Sequence, residues 1–361
     1  MDVFSKSTIL NTNHINKILI KIELYLFLLM SIIKYFPKHI SFDIKCDCKG
    51  KLFFDEKTTN ILTKKYGSLT RASIESWLMS SYQNRKANLN NVIVTKNGKI
   101  YKDFQHIGTI IGCECDEIKD NNVIDNNVYP NVISISGIWT YGIWHFPTES
   151  LSALMSTKMP SDAKIHVHTK TKYVLYWLSL IGISQDRVID GNIRATNLLI
   201  PELGACGSPY PEQITWLNNI VRSSVNATSD KLLILSKRTR SRQLKNYQEV
   251  YEASCKLAVK MGLKLYIHDD SKLPSIKEQH SAFKSASIII APHGGGNINI
   301  LAMSEGTDFI EIMDSSWPNN CFLRVAAYLN INYYGVHSEN YIVNIDSLQN
   351  VCKKLSNNKT K

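Results

Sequence analysis

Residues 286–313 read ASIIIAPHGGGNINILAMSEGTDFIEIM, and the fold follows from how this stretch divides. Residues 287–291 form a short β-branched run bounded by Pro292 and three glycines. Residues 297–304 suit a short helix, and 308–313 are a second apolar run. Strand, glycine-rich turn, helix and strand make a βαβ unit. The turn of such a unit lies at the carboxyl end of a parallel strand, where glycines let a ligand approach the backbone and a helix start favours phosphate. A turn that merely packs closely is the plain alternative. His293 beside it favours a site.

The same pattern extends upstream. Residues 231–235 and 263–268 read as strands, with helices at 214–221, 246–261 and 278–285. Before them, strands at 132–135, 165–168, 187–190 and 195–200 alternate with an aromatic turn running into a helix over 137–155 and a helix at 172–181. Alternating strands and helices imply parallel sheets covered on both faces. The Pro/Gly-rich segment 201–211 reads as a hinge or domain linker. The expected organisation is α/β: an N-terminal extension over 1–40, a first Rossmann-like domain over 41–210 and a second over 211–361, with substrates in the cleft between the domains. A further helix is expected over 69–82, and the Asn/Asp-rich segment 116–127 reads as a surface loop.

Within the extension, residues 24–33 (LYLFLLMSII) are strongly apolar. A bilayer span needs about 20 such residues. This run therefore reads as a helix docked on the protein or making peripheral contact with a membrane, and no small-x-small cleavage site closely follows it.

Across 361 residues, 44% are hydrophobic and 20% charged, the composition of a globular chain with room for two cores. A formal net charge of +11 points to an anionic partner, although codon bias towards Lys and Asn accounts for part of it. Eight cysteines are too sparse for a disulfide scaffold. The pairs Cys46/Cys48 and Cys113/Cys115 read by default as unligated thiols, with zinc or a disulfide as the alternative. The sequons at Asn226 and Asn358 leave the compartment open: cytoplasmic or membrane-associated is favoured, with the ER or Golgi lumen as the alternative.

Four constellations carry chemistry. His293, Gly294, Gly295, Gly296 and Asn299 can hold a diphosphate, with the imidazole helping a leaving group. The loop SKRTRSRQLKN at 236–246 concentrates Lys237, Arg238, Arg240, Arg242 and Lys245 at a strand's carboxyl end. Two adjacent βα turns there can face one anion, with Arg238 foremost. No aromatic residues interleave this run, so nucleic acid is the weaker reading. In WTYGIWHFPTES at 139–150, His145 and Glu149 are four apart and can form an acid/base pair, while Trp139, Tyr141, Trp144 and Phe146 offer a sugar-stacking or hydrophobic wall. Glu311 can accept hydrogen bonds from ribose hydroxyls or serve structure. The adjacent Asp269 and Asp270 are assigned no metal.

Taken together, these blocks resemble glycosyltransferase family 61, the group that includes relatives of EGF-domain O-GlcNAc transferase and plant xylan glycosyltransferases. The resemblance covers about residues 130–315. It rests on LLILSKRTRSRQLKN, the helical Glu278-Gln279 and SASIIIAPHGGGNINILAMSEGTDFIEIM, where Arg238, Arg242, Asn246, Gln279, His293, Gly294, Gly296, Asn299 and Glu311 match the family pattern. WHFPTESL is similar to the family's His-Trp-x-x-Glu segment. Gly295 replaces the usual Ala, and Ser152 and Ala153 stand where Pro-Arg is usual.

The resemblance implies a GT-B fold of two facing Rossmann-like domains and an inverting transfer from a nucleotide sugar, a UDP-sugar foremost, to a hydroxyl of a glycan or glycoprotein. It assigns Arg238, Arg242, Asn246, Gln279, His293, the three glycines, Asn299 and Glu311 to the donor, and Glu149 or His145 to the base. No cofactor is required, with Mn²⁺ or Mg²⁺ left open. The alternatives are a non-catalytic nucleotide- or sugar-binding relative and, behind it, a nucleic-acid binder.

Overall fold

A computed structural model describes residues 40–42, 52–66, 85–110, 127–204 and 206–358. The apolar run 24–33, the expected helix over 69–82, both Cys-x-Cys pairs and nearly all of the 116–127 loop lie outside these residues. The described residues from 41 onward belong to one compact unit. No helix among the described residues is long and apolar enough to cross a membrane.

The chain in the larger unit alternates as follows. Strand β1 (Leu52–Phe54) leads into α1 (Glu56–Tyr66), then β2 (Lys86–Val94), β3 (Lys99–Lys102), β4 (Gln105–Thr109) and β5 (Val128–Ser134). A π turn at Phe146–Ser150 runs into a 3₁₀ turn at Leu151–Leu154, followed by β6 (Lys164–Val167), α2 (Lys172–Ser179), β7 (Val188–Asp190) and β8 (Ile193–Pro201). The second half continues with α3 (Pro211–Ser224), β9 (Leu232–Lys237), α4 (Tyr247–Met261), β10 (Lys264–Asp269), α5 (Ile276–Lys284) and β11 (Ala286–Pro292). After a 3₁₀ segment at Gly295–Ala302 come β12 (Asp308–Asp314), α6 (Cys321–Tyr328), β13 (Asn332–Glu339), β14 (Ile342–Val343) and α7 (Ile345–Asn358).

The second-half sheet is ordered β10-β9-β11-β12-β13-β1, with these neighbouring pairs parallel, and a further short strand at Ile40–Phe42 lies next to β1; short β14 turns back antiparallel on β13. Its central strands read as unbroken apolar runs because both faces are covered. Leu233, Ile234 and Leu235 of β9 and Ile288, Ile289 and Ile290 of β11 are essentially inaccessible, each contributing roughly 1.5–3 kcal/mol by leaving water. The first-half sheet is mixed, ordered β4-β3-β2-β8-β5-β6-β7, parallel from β8 to β7 and antiparallel from β8 to β4.

The molecule is thus mixed α/β, with one parallel and one mixed sheet, and it departs from expectation in two places. The antiparallel strands β2, β3 and β4 occupy a stretch with no strand expected. Residues 52–66, expected within the first domain, instead place β1 beside β13 in the second sheet, where Asp55 accepts from the His337 backbone N–H and Ser347 Oγ. A single buried cluster runs through both halves, from Ile133, Ile165 and Trp177 to Ile289, Phe309 and Phe322.

Strand order fixes where a ligand binds. In the parallel sheet β9 is flanked by β10 on one side and β11 on the other, so the chain's direction of winding reverses between β9 and β11. Connections there leave opposite faces and open a crevice beyond the carboxyl ends. The residues that follow these strands are Arg238 and His293.

Candidate active site

At this crevice lies a cavity of about 720 Å³. One wall comes from the parallel sheet: Ser236 and Lys237 at the end of β9 with Arg238 and Arg242 after it, His268 and Asp270 at the end of β10, Gln279 on α5, and Pro292 at the end of β11 with His293 and Gly295–Asn299 after it. The other comes from the first half: Ile143, Trp144, His145 and Tyr173, with Cys206 and Gly207. Trp317, Asn319, Cys321 and Phe322 close one end. The expected hinge at 201–211 is fastened here: Gly204 N–H donates to Glu149 O at 3.0 Å and Gly207 N–H to Glu149 Oε1 at 3.3 Å. A Cβ on Gly204 would lie 2.8 Å from Thr148 O, so only glycine lets these two backbones meet.

Arg238 is folded across the crevice. Nε and Nη2 donate to Ser241 O and Oγ at 2.9 and 3.1 Å, and Nη1 reaches His293 O at 3.4 Å. A Cβ on Gly294 would fall on this guanidinium. Glycine is needed there for space: its φ of 165° is extended backbone that any residue adopts. Burial, with Arg242 alongside, pulls the Arg238 pKa below the ordinary guanidinium value, while Asp270 acts in the opposite sense. Positive charge is therefore crowded here, an arrangement that favours an anionic ligand. Asp270 Oδ1 meanwhile accepts from Thr239 N–H and Oγ1, tying the basic loop to the end of β10.

His293 is nearly buried. Its Nδ1 lies 2.7 Å from Glu311 Oε1, and Tyr333 OH donates to Glu311 Oε2 at 2.6 Å. With Nδ1 turned towards the carboxylate, Nε2 is the ring atom left for a ligand. Both Glu311 oxygens are committed, and Glu311 is absent from the cavity lining, so it positions His293 from behind. Burial and Glu311 together push the Tyr333 phenol well above its ordinary pKa, keeping it a donor. Asn299 Nδ2 donates to Gln279 Oε1 at 3.1 Å, and Gln279 Nε2 to Pro274 O, an amide relay along one side of the cavity. Asn246 is taken up elsewhere: its amide exchanges two hydrogen bonds with the Val343 backbone at 3.1 and 2.9 Å, and it does not line the cavity.

On the opposite wall, His145 Nδ1 lies 2.8 Å from Glu149 Oε1. Glu149 is 1% exposed and His145 27% exposed by side chain. The histidine faces the cavity and the carboxylate stands behind it, repeating the order seen at His293 and Glu311. The local backbone is a π turn, for which helical four-residue spacing already brings the two side chains to one face. Trp144 packs edge-on against Phe322 at 4.8 Å, and Phe322 against His293 at 5.4 Å, so aromatic rings join the walls. Ile143 is the side chain nearest to where a Cβ on Gly295 would lie, at 3.5 Å.

Among the described residues, the group whose atoms come close enough to share a metal is His145, Glu149 and Cys206, all within 4.8 Å. Cys206 is disulfide-bonded, so it offers no thiolate, and His145 and Glu149 are bonded to each other. Asp269 is held by Ser271 and Lys237, which bring its pKa down to about 2.

Sequence reading found the His–Glu pair, the basic loop and the glycine turn. It missed Tyr333, whose signal is a tyrosine in an otherwise buried strand facing an acid on the next one, and Tyr173, Trp317 and Phe322, which carry no local motif.

Residues 143–310 match the family model Glycosyltransferase 61. The match starts at Ile143 beside the His–Glu pair and ends in β12, so it contains the basic loop, the glycine turn and the opposite wall. The comparison with curated proteins finds no match.

Proposed function

We propose, from the match of residues 143–310 to the Glycosyltransferase 61 model, that this chain is a member of that family and carries out an inverting transfer of a sugar from a UDP-sugar to a hydroxyl of a glycan or glycoprotein, in a GT-B-like cleft. One observation carries the reading. The basic loop and the glycine turn meet at the crevice between β9 and β11, and a histidine backed by a buried carboxylate faces them from the other sheet.

Each part has a role in a single displacement. The diphosphate lies against Arg238, Arg242 and the backbone of residues 294–297, with His293 Nε2 towards its oxygens. Gln279 and Asn299 present amides to the rest of the donor. Glu149 holds His145 in the tautomer whose Nε2 carries a lone pair. That nitrogen takes the acceptor hydroxyl proton as the oxygen bonds to the anomeric carbon. The electron pair of the breaking C–O bond leaves with the nucleoside diphosphate, whose added negative charge falls on the arginines and peptide N–H groups. Since no side chain becomes bonded to the sugar, the configuration inverts. Divalent metal enters none of these steps.

A thermal-shift panel of UDP, GDP, CMP and UDP-sugars, with and without Mn²⁺, tests the donor assignment, because a ligand bound only to the folded state raises its stability. The expected result is a selective shift with UDP or one UDP-sugar. In transfer assays, Glu149→Gln is expected to cut turnover by about 10²-fold or more with the UDP shift retained. A folded sample that responds to no nucleotide would overturn the reading and favour a non-catalytic relative.

A further inference from the structure

Of the four aromatic residues between 139 and 146, two are buried and two are not. Trp144 and Phe146 are 8% and 1% exposed, whereas Trp139 and Tyr141 are 38% and 49% exposed. The exposed rings are presented by a turn that is tightly bonded to itself. Gly137 N–H donates to Thr140 Oγ1 at 3.0 Å, Thr140 N–H to Gly137 O at 3.2 Å, and Gly142 N–H to Trp139 O at 2.9 Å.

The ring of Trp139 lies 6.3 Å from Tyr141 and 6.4 Å from His145. Tyr141 packs in turn on His168 at 4.8 Å, and His168 is fastened by Asn97 and Thr169. The result is a fixed aromatic shelf, outside the cavity lining but directly beside the histidine at its edge.

Exposing two large rings on a fixed turn costs hydrophobic free energy, and such a patch commonly marks a binding surface. A sugar ring suits it: the C–H face covers an aromatic plane while the hydroxyls stay in water or reach His145.

We propose that Trp139 and Tyr141 form the acceptor subsite and that the acceptor is a saccharide, stacked on the shelf with a hydroxyl directed to His145. This rests on the transferase reading above and extends it to the class of acceptor. The donor enters the crevice from the parallel sheet, the acceptor approaches over the shelf, and His145 stands where they meet.

The test is capture of the full-length protein on an oligosaccharide microarray in the presence of UDP, with the UDP thermal shift measured in parallel on each variant. Wild type is expected to be retained on a subset of glycans. Trp139→Ala and Tyr141→Ala should each lower retention at least tenfold, and Tyr141→Phe, which keeps the ring, should restore it. The UDP shift should be the same in all four proteins. Capture on no glycan, or capture indifferent to both alanine substitutions, overturns the shelf as acceptor site. Absence of a UDP shift with ring-dependent capture intact would overturn the transferase reading and leave the saccharide site standing, so the two failures are separable.

Discussion

Gly294 and Gly296 stand two residues apart in one turn and have different tasks. A methyl group on Gly294 would occupy the place of the Arg238 guanidinium, while nothing lies within 4 Å of one on Gly296. Neither position has a left-handed φ, so the contrast is one of space and not of backbone strain. Gly294→Ala is expected to displace Arg238 and weaken UDP binding by about tenfold or more, since a charge-assisted contact contributes roughly 1.5–3 kcal/mol. Gly296→Ala should leave UDP affinity within about twofold. Titration calorimetry on both variants decides the matter, and equal affinities would remove Arg238 from the diphosphate site. At this scale the sequence was informative about which residues gather and silent about which stand in front. Glu149 was legible as an acid four residues from a histidine, whereas Glu311 was read as an acceptor for ribose hydroxyls or a structural acid; that each lies behind a histidine is set by burial, which depends on strands far away in sequence.

Elements were legible where their chemistry is local. The units β9–α4–β10 and β11–β12 announce themselves as short apolar runs ended by glycine, proline or charge. Strand β2 does not: six of its nine residues, Lys86 to Asn91, are exposed or half-buried and only Val92, Ile93 and Val94 are buried. Strand β13, NYYGVHSE, is buried mainly through tyrosines, glycine and a histidine, a composition that periodicity reads poorly. The placement of β1 beside β13 is a pairing across some 280 positions, and nothing local encodes it. Asn246 illustrates the consequence. Read as part of the basic loop it belongs to the donor, yet its amide pairs with Val343, and the neighbouring Lys245 N–H donates to Tyr341 O. Asn246→Ala is therefore expected to destabilise the fold by about 1–3 kcal/mol, by leaving buried backbone groups without partners, with the UDP dissociation constant unchanged. A denaturant midpoint unaltered beside a large loss of UDP affinity would return Asn246 to the donor site.

Among the described residues of the whole molecule, burial holds three histidines neutral in different regions: His166 on β6, His268 on β10 and His280 on α5, each with its pKa lowered to about 4 from 6.5. His280 lies where the halves meet, its Nδ1 3.0 Å from Tyr176 OH on α2. In the unfolded chain all three take up protons as pH falls through 6.5, while the folded chain resists until about 4. The unfolded state thus binds more protons throughout this window, and stability rises with pH across it. The contribution is complete above pH 6.5, is lost as pH falls towards 4 and levels off below. Each histidine accounts for something on the order of 3 kcal/mol. Carboxylates whose folded pKa is depressed act in a lower window: Asp269, at about 2 against 3.8, yields its stability only below pH 4. Urea denaturation at pH 7, 5.5 and 4.5 should therefore show a steep loss of stability well before the carboxylates protonate. His280→Gln, which can still accept from Tyr176 and does not titrate, should remove about a third of that pH dependence. Stability that stays level from pH 7 to 4.5, or a full slope in the variant, would mean that the interface admits a charged imidazole, and with it water, between the halves of the cleft.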